Sequence, residues 1–557
     1  MKKILCLMLA FGCLFATACG GGGGTSQSSP DSAGSGPRPD PTTVTVYIAS
    51  DTIGAASQDA TVKAAIEEKF WKDTGKSIDL DVRVYGLKDF TTQMSNLMTT
   101  SKWDVALDYL GQAGIQELMF EQNVCMDLAD ILDGYPTITE FIGDGFEATT
   151  DTLGTVYGIP SQNSTSDTGL MIRKDYMEAV GYTTEAGYND NLGATTEAPN
   201  GKKKTLVTIA DFQDMMQRMV DQGICASPLI GMPWDVESMI TVGPFGTANY
   251  ATYARVDNPD GSFKELVPGF LSPDYMKSLS YESNWEKTGL WEADCYTKPK
   301  ANRLTDYVNG KGAVYCVDPT FVNLVKVSRQ VKANNPNATF TFLNPLKGVD
   351  ADGNAVEGNG FEAKSANKEC MVINKKSTKA ELILEYLSWL YSDQKNYELA
   401  RYGVEGTHWI DSGAGYYAYP ADKANEYLMD SPYMGIYSIL EQEAVWGRIY
   451  SDYTAEEKGW LEQCRSAKRY SCAAENMIFL GLDGDSALNR DSAGNGFFQE
   501  VTYACWTGNA DPMANGMNLF NVQEAAYRNT AASYLTFLSE RYKMYAAQRN
   551  INLGVKA

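Results

Sequence analysis

The chain has 557 residues, 70 acidic against 47 basic side chains, a formal charge of −23 and a single histidine, His408. A balance that acidic argues against a nucleic-acid binder or an anionic-membrane binder. One histidine excludes multi-histidine zinc or iron sites and leaves room for at most one Ser/Cys–His nucleophile.

The first residues read as an address. Lys2 and Lys3 precede an apolar run from Ile4 to Phe15 and then Ala16-Thr17-Ala18-Cys19. This is the order of a secretory signal over residues 1–18. The run is too short to cross a bilayer of about 30 Å. A cysteine directly after small residues resembles a bacterial lipobox, with Ala16 where leucine is usual, so Cys19 is the predicted lipidated residue and Cys13 a weaker competitor. Residues 19–42 are dominated by Gly, Ser, Pro and Thr and offer almost nothing to bury, which predicts a disordered tether with an r.m.s. reach of about 25 Å. No later stretch is long and apolar enough for a membrane helix.

The folded body is then long enough for two or more lobes, because single cores stop growing near about 250–300 residues. It opens on an alternating strand, Thr43 to Ala49. A helix follows with Val62, Ile66 and Phe70 on one face and Gly75 as its C-cap. Ile78, Leu80, Val82 and Val84 alternate as a second strand, residues 88–100 read as helix, and Trp103 to Leu107 form a third strand ending at Asp108-Tyr109. Strand–helix–strand–helix–strand at this spacing predicts a parallel α/β sheet. Ligands bind such sheets at the carboxyl ends of the strands, which points to Asp108 and Tyr109.

Further along come Asn123 to Leu128, Val156-Tyr157-Gly158-Ile159-Pro160, Leu170 to Asp175 and a helix beginning near Asp211. Asn309 to Cys316 reads as a turn into a buried strand and Met371 to Asn374 as a return strand. Thr378 to Glu381 has the pattern of a capping box, and Leu382, Tyr386 and Leu390 stripe the helix behind it. Trp389 to Gln394 and Tyr402 to Trp409 complete the series. Asp257 to Gly261 and Asp350 to Asn354 read as hairpin tips. Trp71 and Trp389 lie on helical stripes and read as core; Trp285 and Trp291 fit either core or site.

Taken together, these segments resemble the family 1 extracellular solute-binding proteins, the class of the maltose-binding protein, and within it the LipO-type lipoproteins. The resemblance covers residues 43–415; residues 416–557 are helix-rich and match less specifically. It implies a two-lobed, type II periplasmic-binding-protein-like α/β fold with a hinge and an inter-lobe cleft. Lobe one would be 43–160 plus 361–415, and lobe two 161–360 plus 416–557. It also implies a monomer on the outer face of the cell membrane that hands a small ligand to the permease of an ABC transporter, with no catalysis and no cofactor.

The residues themselves say less about chemistry. There is no Walker loop, no GxGxxG and no GxSxG around a nucleophile. Asp350-x-Asp352 and Asp483-Gly484-Asp485 do not fit a calcium loop, and His408 reads as a loop histidine, so no metal is expected. The positive signal is aromatic: 10 Trp, 33 Tyr and 20 Phe. Sugars need flat aromatic platforms beside Asp, Asn and Gln. Such groups coincide at four places, Asp108-Tyr109, Gln162-Asn163 after the first crossing, Trp234-Asp235, and Asp318 with Phe321, and Trp409 is a further candidate. By the resemblance these regions face the cleft. Maltose-type relatives often carry Trp where this chain has Asp318 and Phe321, which leaves the sugar type open. A secreted polysaccharide-acting enzyme and a binder of peptides or other non-sugar ligands are the competing readings.

The eleven cysteines include Cys6, Cys13 and Cys19 in the leader, and the other eight are scattered without a CxxC. Cys464 and Cys472, if helical, lie about 12 Å apart, too far to bridge. Free buried thiols are expected, with disulfides as the alternative in an extracellular setting.

Overall fold

A computed structural model describes residues 36–554 apart from 51–56, 109–118, 120–121, 152, 163–166, 185–202, 273, 364–369, 424–432, 434, 475–476, 478–483 and 511–517. The signal segment and Cys19 lie outside the described residues. The described end of the tether is tied down: Arg38 donates to Ser77 Oγ at 2.9 Å and pairs with Glu67.

The body opens as the alternation predicts. β1 (Thr42–Ala49), α1 (Ala60–Thr74), β2 (Ile78–Tyr85), α2 (Leu87–Leu97) and β3 (Val105–Asp108) form a parallel βαβαβ unit. Asp59 caps α1 by accepting from Thr61 N at 2.8 Å and Val62 N at 3.0 Å. Gly75 ends it at φ 75°, a left-handed turn that a Cβ would oppose. Val62, Ile66 and Phe70 are buried. Each such side chain contributes about 1.5–3 kcal/mol relative to exposure, and Phe70 meets Trp389 edge-on at 5.5 Å. Trp389 belongs to this core, its Nε1 donating to Asp73, whereas Trp71 is only half-buried and not a core residue.

α3 (Pro136–Ile142) and β4 (Ile159–Pro160) follow, and the chain then crosses to a second sheet. That sheet holds β5 (Leu170–Arg173), β6 (Leu229–Gly231), β9 (Val314–Cys316) and β10 (Phe340–Leu343) in the order β10-β5-β9-β6, with β6 and β9 parallel. Between its strands lie α4 (Ile209–Asp221), the hairpin β7 (Tyr253–Asp257) and β8 (Phe263–Pro268), α5 (Tyr275–Lys287) and α6 (Lys300–Val308); α7 (Phe321–Asn334) precedes β10. α4 starts at Ile209, with Thr208 and Asp211 forming a reciprocal capping box. Both hairpin tips form, with Gly261 at φ 82° and Gly353 at φ 81°. Trp285 and Trp291 are fully buried in this lobe.

The chain returns through β11 (Phe361–Glu362) to β12 (Cys370–Ile373), which completes the first sheet in the order β2-β1-β3-β12-β4. The capping box read at Thr378–Glu381 does not form. α8 (Ala380–Ser392) is entered through Lys379 without a side-chain cap. Ser377 and Lys379 instead bind Asp104 at 2.7 and 2.8 Å, which fastens the helix start to the strand lead-in. α9 (Gln394–Tyr402) packs on the first lobe, and Tyr433 and Ile436 to Leu440 join the same apolar cluster.

Most of the elements that follow pack against the second sheet and its helices. β13 (Ile410–Gly413), β14 (Tyr416–Ala418) and β15 (Ile449–Tyr450) make a small sheet. α10 (Ala455–Ser466) leads to β16 (Arg469–Tyr470), which pairs with β11. α11 (Gly484–Phe497), α12 (Asn518–Thr530) and α13 (Ala532–Gln548) pack Phe497, Tyr527 and Leu538 into the core around Trp285, joined by Trp506 from the turn after α11. Just past α13, Arg549 pairs with Glu147 of lobe one. No helix among the described residues is long and apolar enough to cross a membrane. All eight body cysteines are free thiols, seven of them buried and Cys472 half-buried.

Candidate ligand-binding site

β6 and β9 run side by side, Gly231 opposite Cys316, so the loops after them leave the sheet together. This brings Trp234, Asp235 and Asp318 into one place. Pro233 starts a short helix through Val236 that buries Asp235 to 1 % exposure. Its Oδ2 accepts from the Asp318 backbone N–H at 2.8 Å, across 83 residues of sequence. Asp318 itself stands at φ 43°, an unusual conformation for a residue with a Cβ. Its exposed carboxylate meets Lys300 Nζ at 2.7 Å, and Asn323 Nδ2 holds its carbonyl at 3.0 Å. Trp234 is half-buried. The arrangement places an aromatic ring and a carboxylate on two loops joined through the buried Asp235.

The first crossing runs beside this loop, Gly169 N donating to Pro319 O at 2.9 Å. Gln162 on that crossing is half-buried, its Nε2 donating to Ile142 O at 2.9 Å. Asp108 ends β3 opposite Cys370; Tyr109 and Asn163 lie outside the described residues. Phe321 and Trp409 are enclosed, at 2 % and 3 % exposure. They are joined by a run of aromatic contacts through Tyr402, Tyr417, Tyr450 and Tyr453, with successive centroids 5.6, 5.3, 5.5, 5.7 and 5.1 Å apart. The Arg448 guanidinium lies 4.9 Å over the Trp409 ring. His408 accepts from Val404 N at Nδ1, which leaves Nε2 to donate to Asp59 at 3.2 Å. It ties the loop after α9 to the start of α1.

A separate pocket of about 520 Å³ opens within lobe two. Tyr250, Tyr253, Phe270, Phe498, Tyr527 and Tyr534 form its walls, and Arg490, Asp491 and Asn495 its polar rim. None of the residues singled out from the sequence lines it. Behind it sit three buried carboxylates. Glu237 accepts from Tyr250 N at 3.1 Å and Tyr275 OH at 2.8 Å. Glu282 accepts from Trp506 Nε1 at 2.7 Å. Glu362, on β11, accepts from Ser238, Asn249 N and Thr252. Burial pushes Glu237 well above the usual carboxylate range and Glu282 up to about 7. Asp350 is occupied with its own turn, accepting from Asn354 N at 2.8 Å, and no cluster of three ligating side chains occurs among the described residues.

Comparison with solved structures settles the architecture. The N-glycan transport solute-binding protein NgtS of Streptococcus pneumoniae superposes with a TM-score of 0.61 at 14 % identity, over 91 % of this chain and 99 % of that one. The chain has the fold of the extracellular solute-binding proteins. An HMO-binding, ABC-transporter-associated solute-binding protein from Bifidobacterium longum infantis agrees, at TM-score 0.59, 15 % identity and coverage of 91 % and 99 %. So does the substrate-binding protein FusA of S. pneumoniae in complex with kestose, at 0.58, 14 %, 91 % and 100 %. By sequence, the polygalacturonan/rhamnogalacturonan-binding protein YtcQ of Bacillus subtilis strain 168 is 21 % identical over 299 residues. The chain spans about half the length of this curated relative, 52 % of each. No protein-family profile matches.

The pocket behind β7 and β8 is what sequence reasoning missed. Its only sequence signal is a glycine-rich helix, Gly484 to Phe497, flanked by aromatic segments in the part of the chain that matches the family least.

Proposed function

We propose that this chain is an extracellular solute-binding protein that captures an oligosaccharide between its lobes and presents it to the permease of an ABC importer. It does no chemistry of its own, and its body is held to the membrane as a monomer by a lipid on Cys19 after removal of residues 1–18. The observation that carries the reading is the two-sheet, hinge-crossed architecture, which matches sugar-transport binding proteins along nearly their whole length. The lobes are 43–160 with 361–415, and 161–360 with 416–557, with Tyr433 and Ile436 to Leu440 packed into the first core.

In this reading Trp234 stacks on a sugar face and Asp318 accepts from hydroxyls. Asp235 is a positioning residue that holds the Asp318 loop. Asp108, Tyr109, Gln162 and Asn163 complete the wall from lobe one and the crossing, while Phe321 and Trp409 back it from inside. Closure is driven by the difference in ligand affinity between open and closed forms. Native mass spectrometry of freshly purified protein should find copurified oligosaccharide. Calorimetry should show Trp234→Ala weakening neutral oligosaccharide binding by tenfold or more. Turnover of a glycan, or full binding by Trp234→Ala, would overturn the reading.

A further inference from the structure

The structure assigns a second carbohydrate site, distinct from the strand-end loops: the lobe-two pocket is built to hold a neutral sugar ring. This rests on the reading of the chain as an oligosaccharide binder and adds to it. The pocket's size, about 520 Å³, falls in the range of small-molecule sites, roughly 300–1,000 Å³. Its composition is the pairing that sugars require, ring faces for C–H surfaces and mixed donors and acceptors for hydroxyls. Tyr253 and Tyr534 place their hydroxyls 3.2 Å apart at one wall.

The charge of the rim selects among sugars. Arg490 donates to Asp491 at 2.6 Å and lies 5.6 Å over the Tyr534 ring, so the one cation of the lining is matched by the one anion. A uronate would bring a further negative charge towards Asp491, while the Arg490 guanidinium is already paired with that carboxylate. Hydroxyls accept and donate without that penalty. A neutral ring is therefore favoured over a galacturonate, the acidic sugar named for the curated relative.

Two backbone features border this space. Gly494 lies inside α11, where glycine is about 1 kcal/mol worse than alanine. A Cβ there would point into room, meeting only Tyr527 Cε2 at 4.0 Å. Directly after α11 the chain makes a π-helical turn, Phe498–Tyr503, and this turn sets Phe498 and Thr502 on the pocket wall. Such turns are rare overall and frequent at functional sites.

The test is to fill the pocket without breaking the helix. Gly494→Ala should fold at least as well as wild type and keep the site; Gly494→Trp should fold and occupy it. Binding is counted by native mass spectrometry and calorimetry with kestose, Man5GlcNAc and trigalacturonate on these variants and on Trp234→Ala. The expected result is two neutral sugars per wild-type and Gly494→Ala chain and one per Gly494→Trp chain, with trigalacturonate at least tenfold weaker at the Gly494-dependent site. Unchanged stoichiometry in a folded Gly494→Trp chain overturns the inference, as does a pocket that prefers the acidic sugar. If instead the Gly494-dependent event persists while Trp234→Ala changes nothing, the strand-end reading falls and the pocket stands.

Discussion

Asp318 offers a test in which stability and binding should move independently. It holds φ 43°, a region that costs a residue with a Cβ about 1–2 kcal/mol and glycine nothing. Replacing it with glycine removes that strain, offset by about 0.4–1 kcal/mol of extra chain entropy in the unfolded state. Replacing it with alanine keeps the strain. Both lose the pair with Lys300, whose partners are 48 % and 57 % exposed and which is worth about 0–1 kcal/mol. Asp318→Gly should thus exceed Asp318→Ala in stability by about 1 kcal/mol, read as a melting difference of about 2–4 °C for a lobe of this size. The loop should survive in both, because Asp235 holds the backbone N–H and not the side chain. Both should therefore lose neutral-oligosaccharide affinity equally in calorimetry, by the share of the missing carboxylate. Equal melting of the two variants would refute the strain argument. Wild-type affinity in the glycine variant would remove Asp318 from the site.

Other perturbations follow from the same structure. Glu282 is buried with its carboxyl raised from 4.5 to about 7, so the native state binds a proton that the unfolded chain releases. Its contribution is full below pH 4.5 and is lost as pH rises towards 7; melting temperature should fall across that window, and Glu282→Gln should flatten the fall. Arg549 and Glu147 form a lobe-to-lobe pair of partly exposed groups, worth about 0–1 kcal/mol. Glu147→Lys should weaken ligand binding by no more than about fivefold and broaden the small-angle scattering profile, and adding Arg549→Glu should restore both. A Cβ on Gly243 would sit 2.0 Å from the Gly360 carbonyl oxygen, so Gly243→Ala should destabilise the chain by more than about 1 kcal/mol, measured by urea unfolding. With seven body thiols buried and Cys125 pushed up to about 12 by burial, a thiol reagent should label Cys472 first in native protein and all eight body cysteines only after unfolding.

The first lobe was legible because its signals are local. Alternation gave β1 to β3, the Val62-Ile66-Phe70 spacing gave α1, and Gly75 ended it as glycine must at φ 75°. The hairpin tips were legible for the same reason. The capping pattern at Thr378 was misleading because a tertiary partner, Asp104, took the nearby Ser377 and Lys379 and moved the helix start. Trp71 and Trp389 share a stripe logic, yet only Trp389 finds a core to enter, against Phe70 and Tyr386.

The site divides along the same line. The strand-end rule needs only the order of strands and pointed to Asp108 and Tyr109, while Trp234, Asp235 and Asp318 were singled out because aromatic and polar groups coincide in predicted loops. What it could not supply is the bond from Asp235 to the Asp318 backbone, which depends on β6 and β9 lying parallel. The lobe-two pocket lies further still from local pattern. Its walls come from β7, β8, α11, α12, α13 and the π-helical turn, two groups of elements about 220 residues apart, Tyr250 to Phe270 and Arg490 to Tyr534, that only the fold brings together. A glycine inside a helix was its one visible trace, and by itself such a residue reads only as a weak helix. It becomes informative only beside the aromatic walls that the fold brings in front of it, Phe270 and Tyr253 from one part of the chain and Tyr527 and Tyr534 from another.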